Sequence, residues 1–184
     1  MRPYWLTIAE AQPGRSAIEP RRPGCVLLVL FLLVAACSPE LNWRELRSEP
    51  GGFTAVLPGK LRLDEREIAG EPGVVLHLWS SEASNAVFGI GYADYPDAGR
   101  LSLERMRDAL VANIKGTIVS DREIELGAAR GREFHAHGPS AVLAARVLAS
   151  GSRFYQVAVV SRAGNLAPPD VDLFLDSFRL LSTK

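Results

Sequence analysis

Cysteine is scarce in this chain: of 184 residues only Cys25 and Cys37 carry a thiol, and both lie before residue 40. Everything after Ser38 must therefore fold without a disulfide, which excludes the small cysteine-stapled scaffolds and leaves no thiolate for a metal. Histidine is almost as rare, with His77, His135 and His137 the full set. Excess charge of either sign is missing too. The 21 basic and 21 acidic side chains leave a formal net charge of zero, so the chain has no electrostatic footprint for nucleic acid. There is no Gly-x-Ser-x-Gly elbow, and Gly89-Ile90-Gly91 runs on into Tyr-Ala-Asp where a phosphate-cradling loop needs its third glycine. Those gaps argue against a hydrolase elbow and against nucleotide binding.

What is present begins with one apolar run, Cys25 to Ala36 (CVLLVLFLLVAA), preceded by Arg15, Arg21 and Arg22. Pro23-Gly24 and Ser38-Pro39-Glu40 bound it, and a membrane-spanning helix needs about 20 apolar residues. Positive residues followed by a short apolar stretch are the pattern of an export signal. The last residues, Val34-Ala35-Ala36 before Cys37, resemble the lipobox of bacterial lipoproteins. The resemblance implies cleavage before Cys37, acylation of that residue and a lipid anchor holding the remainder on the envelope side of a membrane. It also implies that Ser38, where an Asp would favour retention at the inner membrane, leans toward the outer membrane in a diderm host. Arg21-Arg22 is not followed by a twin-arginine export pattern, and positive charge alone accounts for the pair.

Loss of residues 1–36 removes four basic and two acidic groups and leaves 148 residues with formal charge −2. That length suits one domain with a core sufficient for stability. Residues 37–52 read as a tether, SPELNWRELRSEPGG after Cys37, in which Trp43 and Leu46 dock as a short helix; residues 53–182 form the folded domain.

Within the domain, apolar residues recur with period two and predict strands at Phe53–Leu57, Val74–Ser80, Asn85–Ala93, Thr117–Leu126, Ala129–His137, Ala141–Ala149 and Phe154–Ser161. In the third of these Phe88, Ile90 and Tyr92 share one face and Gly89, Gly91 and Ala93 the other. In the last, Tyr155, Val157 and Val159 oppose Phe154, Ala158 and Val160, so the strand is apolar on both faces and belongs in the middle of a sheet covered twice. Helical spacing of Leu103, Met106, Leu110 and Ile114 predicts a helix over Ser102–Lys115, capped by Ser102 and ended by Gly116. A second helix, Asp170–Phe178, is expected to bury Val171, Phe174, Leu175 and Phe178. The fold class is α+β, an antiparallel sheet of about six or seven strands flanked by helices.

GGFTAVLPGKL near the start, one central helix, ELGAARGREF, the hairpin VLASGSRFYQVAVV and the closing FLDSFRLL together resemble bacterial PsbP-like domains over roughly Gly52–Leu181. The resemblance implies a PsbP-like α/β/α sandwich and a non-catalytic accessory or partner-binding role. No residue of a photosynthetic function carries over.

Chemistry-bearing positions are few. Glu133, His135 and His137 alternate along one strand, so they share a face and are candidate metal ligands. Without cysteine partners or a longer ligand spacing, a polar sheet face is the plainer reading, and no metal or cofactor is expected. Asp121, Glu123 and Glu125 read as a solvated strand face, and Asp170, Asp172 and Asp176 as charges near a helix start and on its surface. The function expected is therefore a lipid-anchored, non-enzymatic envelope protein with an unidentified protein partner. The alternative is a small-ligand or metal binder, or a weak hydrolase, using a pocket beside Gly89 and Gly91, with His77, or the Glu133, His135 and His137 strip.

Overall fold

The strand Arg153–Ser161 (β9) has almost no residue that water reaches freely, and the architecture is laid out around it. The computed structural model describes residues 41–162 and 167–181; the apolar run and Cys37 lie outside them. Along the chain the elements are β1 (Trp43–Ser48), β2 (Phe53–Pro58), β3 (Arg62–Glu67), β4 (Val75–Ala83), β5 (Ala86–Asp94), a 3₁₀ turn at Ala98–Arg100, α1 (Leu103–Asn113), β6 (Thr117–Leu126), β7 (Ala129–His137), β8 (Val142–Ser150), β9, α2 (Pro168–Ser177) and β10 (Arg179–Leu180). Seven strands make an antiparallel sheet in the order β3-β4-β5-β9-β8-β7-β6, with β9 at its centre. A second sheet, β1-β2-β10, is smaller.

Because successive strand side chains alternate faces, β9 feeds two cores. Tyr155, Val157 and Val159 join Phe53, Leu57, Phe88, Ile90, Phe174 and Phe178 on the face covered by the small sheet and α2. Phe154 and Ala158 join Leu76, Met106, Val111, Phe134 and Leu143 on the face covered by α1. The α+β architecture expected from the periodicity is thus present, with one addition: half of one cover is a sheet.

That addition corrects the expected tether. Trp43–Ser48 is a strand rather than a linker or a helical turn, paired antiparallel with β2 from Trp43 opposite Pro58 to Ser48 opposite Phe53. Leu46 is buried, and the Trp43 ring meets Phe88 edge-on at 5.8 Å. β3 carries no apolar alternation because all six of its residues are exposed, yet it pairs with β4 along its whole length.

α1 starts as expected, with the Arg105 amide donating to the Ser102 hydroxyl at 3.2 Å. Its end differs. The Lys115 amide donates to the Ala112 carbonyl and the Gly116 amide to Val111, the paired bonds of a Schellman motif, and the left-handed position falls on Lys115 at φ 50° rather than on glycine. Gly116 is needed for a different reason: a Cβ there would lie 2.8 Å from the Ile114 side chain and 3.1 Å from the His137 carbonyl.

The closing helix seals the first core. Phe178 has no exposed surface, and its ring lies 5.3 Å from Phe53 and 5.6 Å from Tyr155. The Val56 amide donates to the Ser177 hydroxyl at 3.0 Å, which locks the end of α2 to β2. Replacing Phe178 by Ala is expected to cost about 3–5 kcal/mol in denaturant unfolding, and a loss below about 1 kcal/mol would make the helix peripheral. Lys115→Gly is expected to raise stability by about 0.5–1 kcal/mol, since it relieves a left-handed side chain at a position that needs no Cβ; a lowered midpoint in the same measurement would count against that account of the helix end.

Candidate functional site

The strip Glu133, His135 and His137 lies on one face of β7, as its alternation requires, but its members do not converge. Register places Arg122 of β6 and Arg146 of β8 directly opposite Glu133 on either side. Both arginines use that position: Arg122 donates to Glu133 Oε1 at 2.5 and 2.9 Å, and Arg146 to Oε2 at 2.6 Å. Arg146 continues to the Leu175 carbonyl at 2.7 Å and Asp176 at 2.6 Å, so the carboxylate ties β6, β7 and β8 to α2. Among the described residues no group of three or more His, Cys, Asp or Glu side chains is arranged to hold a metal ion.

His135 and His137 instead border a small cavity of about 200 Å³ with Val142, Ser161, Val171 and Asp172. His137, Val142 and Ser161 sit in register on three successive strands. One strand therefore separates the serine from the histidine, roughly 10 Å between backbones at about 4.8 Å per strand. Among the described residues no hydrogen bond joins Ser161 to either histidine.

Asp121 departs from the expected solvated face. Glu123 and Glu125 are open to water, whereas Asp121 accepts from Arg107 of α1 at 2.5 Å and from Arg132 of β7 at 2.9 Å. It is a clasp between helix and sheet. For both Asp121 and Glu133, burial pushes the carboxyl pKa up, but the guanidinium hydrogen bonds outweigh it and hold each group below its ordinary value.

The glycine face of β5 is filled, not open. A Cβ on Gly91 would lie 3.0 Å from Leu76 Cδ1 and one on Gly89 3.5 Å from Leu78 Cδ1, so the glycines exist to let leucines of β4 lie across the strand. Beyond Leu76, between β4, β9 and α1, runs a cleft of about 340 Å³ with Gln156 and Phe154 in its floor.

On the opposite face of the same strands is an aromatic ledge. His77 stacks on Tyr92 at 4.7 Å, Trp79 lies against the other side of that cluster 6.1 Å from Tyr92, and Leu63 of β3, more than half exposed, is the register partner of Trp79. His77 Nδ1 is 2.9 Å from Glu65. Below them Arg153 grips Asp94 with two hydrogen bonds of 2.5 and 2.7 Å and lies 5.0 Å over the Tyr92 ring. The Asp94 bond raises the Arg153 pKa further, and burial raises that of Tyr92. Sequence reasoning reached His77 but missed the ledge, because its other members read as ordinary strand residues until the register brings them together.

No family profile and no curated protein matches this chain. Among solved structures, the solution structure of the cyanobacterial PsbP (CyanoP) from Synechocystis sp. PCC 6803 superposes with a TM-score of 0.54 at 8% identity, covering 80% of this chain and 99% of that one. The described chain therefore has a PsbP-like α+β fold. No helix among the described residues is long and apolar enough to cross a membrane.

Because Asp121 and Glu133 titrate lower in the folded state than their ordinary 3.8 and 4.5, the stability they contribute is present above that range and is lost as pH falls through the lower folded values. Glu133→Gln is expected to cost about 3 kcal/mol at neutral pH, leaving Arg146 short of its carboxylate. The gap between the two unfolding curves should narrow as the pH is lowered below about 4; parallel pH dependences of urea midpoints would contradict the assignment.

Proposed function

We propose that this protein is a lipid-anchored accessory module of a bacterial cell envelope, tethered through acylated Cys37 and acting by docking a protein partner rather than by catalysis. The apolar run ending at Cys37 supports the anchor. Ser38 to Asn42 is all that separates that cysteine from β1, and five extended residues reach at most about 18 Å. The domain would therefore ride close to the lipid surface, on the outer membrane of a diderm host.

The observation that carries the docking half is the ledge. Leu63, Trp79 and His77 stand on neighbouring strands, partly exposed and braced from below by Tyr92 and Arg153. Tryptophan, tyrosine and arginine in one rigid patch are the residue types that dominate binding energy at protein interfaces. The carboxylates that the sequence offers for chemistry favour the same reading, since Asp121 and Glu133 are bound to arginines that brace the sheet.

Two measurements in cells test the proposal. Labelled palmitate should enter the wild-type protein and not Cys37→Ala. A photo-crosslinking amino acid at position 63 should trap one discrete protein, absent when the same group replaces Val119, exposed on the far sheet edge. Failure of palmitate to incorporate would remove the anchor. Identical crosslinks from both positions would remove the ledge as the docking face.

A further inference from the structure

The cleft beneath α1 holds a polar group with nothing in the protein to bind. Gln156 lies on the central strand and is 8% exposed, and among the described residues its side-chain amide makes no hydrogen bond. It is not sealed in: among the described residues the one fully enclosed, unpartnered side-chain oxygen or nitrogen is the Ser81 hydroxyl, on another strand, whereas Gln156 opens into the cleft. An amide that opens into a cleft and is not used by the protein is free to bond a ligand that offers it a donor and an acceptor.

The walls say what kind. Leu76, Met106, Ala109, Leu110 and Phe154 line the cavity with apolar surface. Its charges cancel. The nearly buried Glu71 is held by Arg100 at 2.8 Å and Arg105 at 3.0 Å, and Arg66 is accompanied by Glu67 at the mouth. About 340 Å³ is at the small end of the range for ligand sites, which combine apolar walls with a few polar groups; here Asn113 at the end of α1 lines the cleft along with Gln156. Gly91 is the register partner of Gln156, and Leu76 leans over it. The missing side chain on β5 thus shapes the cleft wall beside the amide.

We propose that this cleft binds a small uncharged molecule that meets the Gln156 amide with a donor and an acceptor of its own, as a carboxamide does, and lays an apolar body against Met106, Leu110 and Phe154. The site lies on the opposite face of the seven-stranded sheet from the ledge and is independent of the partner-docking reading.

The domain supplies its own reporters, because Met106 and Gln156 are the one methionine and the one glutamine after residue 36. The full-length protein in detergent micelles, labelled in methionine methyl groups and glutamine side-chain amides, is titrated with benzamide and with N,N-dimethylbenzamide, which keeps the ring and carbonyl but has no donor. Benzamide is expected to shift Met106 and Gln156 together and saturably. The dimethyl compound should bind about tenfold more weakly, the effect of roughly one buried hydrogen bond. In Gln156→Leu the Met106 methyl still reports, and the preference between the two probes should vanish. Met106 unmoved by either probe up to the solubility limit, equal affinities for both in the wild type, or a preference that survives Gln156→Leu would each overturn the proposal.

Discussion

The constraint on which the structure depends is that one strand must be buried on both sides at once. β9 contributes Tyr155, Val157 and Val159 to one core and Phe154 and Ala158 to the other. A sheet with two apolar faces needs two covers. This chain supplies them from three separate places: α1 from the middle, α2 and β10 from the end, and β1 and β2 from the start. The early strands are thus structural members rather than a leash, because without them Phe53, Leu57 and Trp43 leave the rings of Phe88 and Phe178 without neighbours on one side.

Around that apolar frame the charged residues are used chiefly as fasteners. Arg122, Glu133 and Arg146 lie side by side across three strands, and Asp94 opposes Arg153 across two. Each pair is in register, so the ionic contacts reinforce strand pairings that the hydrophobic pattern already favours. Arg107 and Arg132 meeting at Asp121 fix α1 over the second core, and Arg146 reaching Leu175 and Asp176 fixes α2 over the first. Interlayer spacing and helix orientation both follow from these clasps.

Much of this was legible in the sequence, for a physical reason. β2, β5, β8, β9 and both helices announce themselves because one or both faces must be apolar, and period two or period 3.6 follows directly. β1 and β3 did not. β1 pairs through its backbone while Arg44, Glu45 and Arg47 face water, and β3 shows water six residues in succession. Neither leaves an alternating trace. The left-handed position that ends α1 was misplaced by one residue since a lysine holds a conformation that sequence logic reserves for glycine. At the candidate sites the limit was register: Glu133 looked like a metal ligand until Arg122 and Arg146 stood on either side of it, and nothing local to Gln156 distinguishes it from a solvated strand residue. Which residues lie opposite one another across the sheet is non-local information, and the sites are made of it.

The outer strand β3 also decides how two copies of this sheet can meet. Its side chains Arg62, Asp64, Glu65, Arg66 and Glu67 are all charged along a margin that pairs with no further strand among the described residues, and β6 at the other margin shows Glu123 and Glu125. Two such rims brought together must strip water from several ions before any ladder closes. Such rims disfavour edge-to-edge pairing of two copies, which keeps the sheet from extending into a fibril.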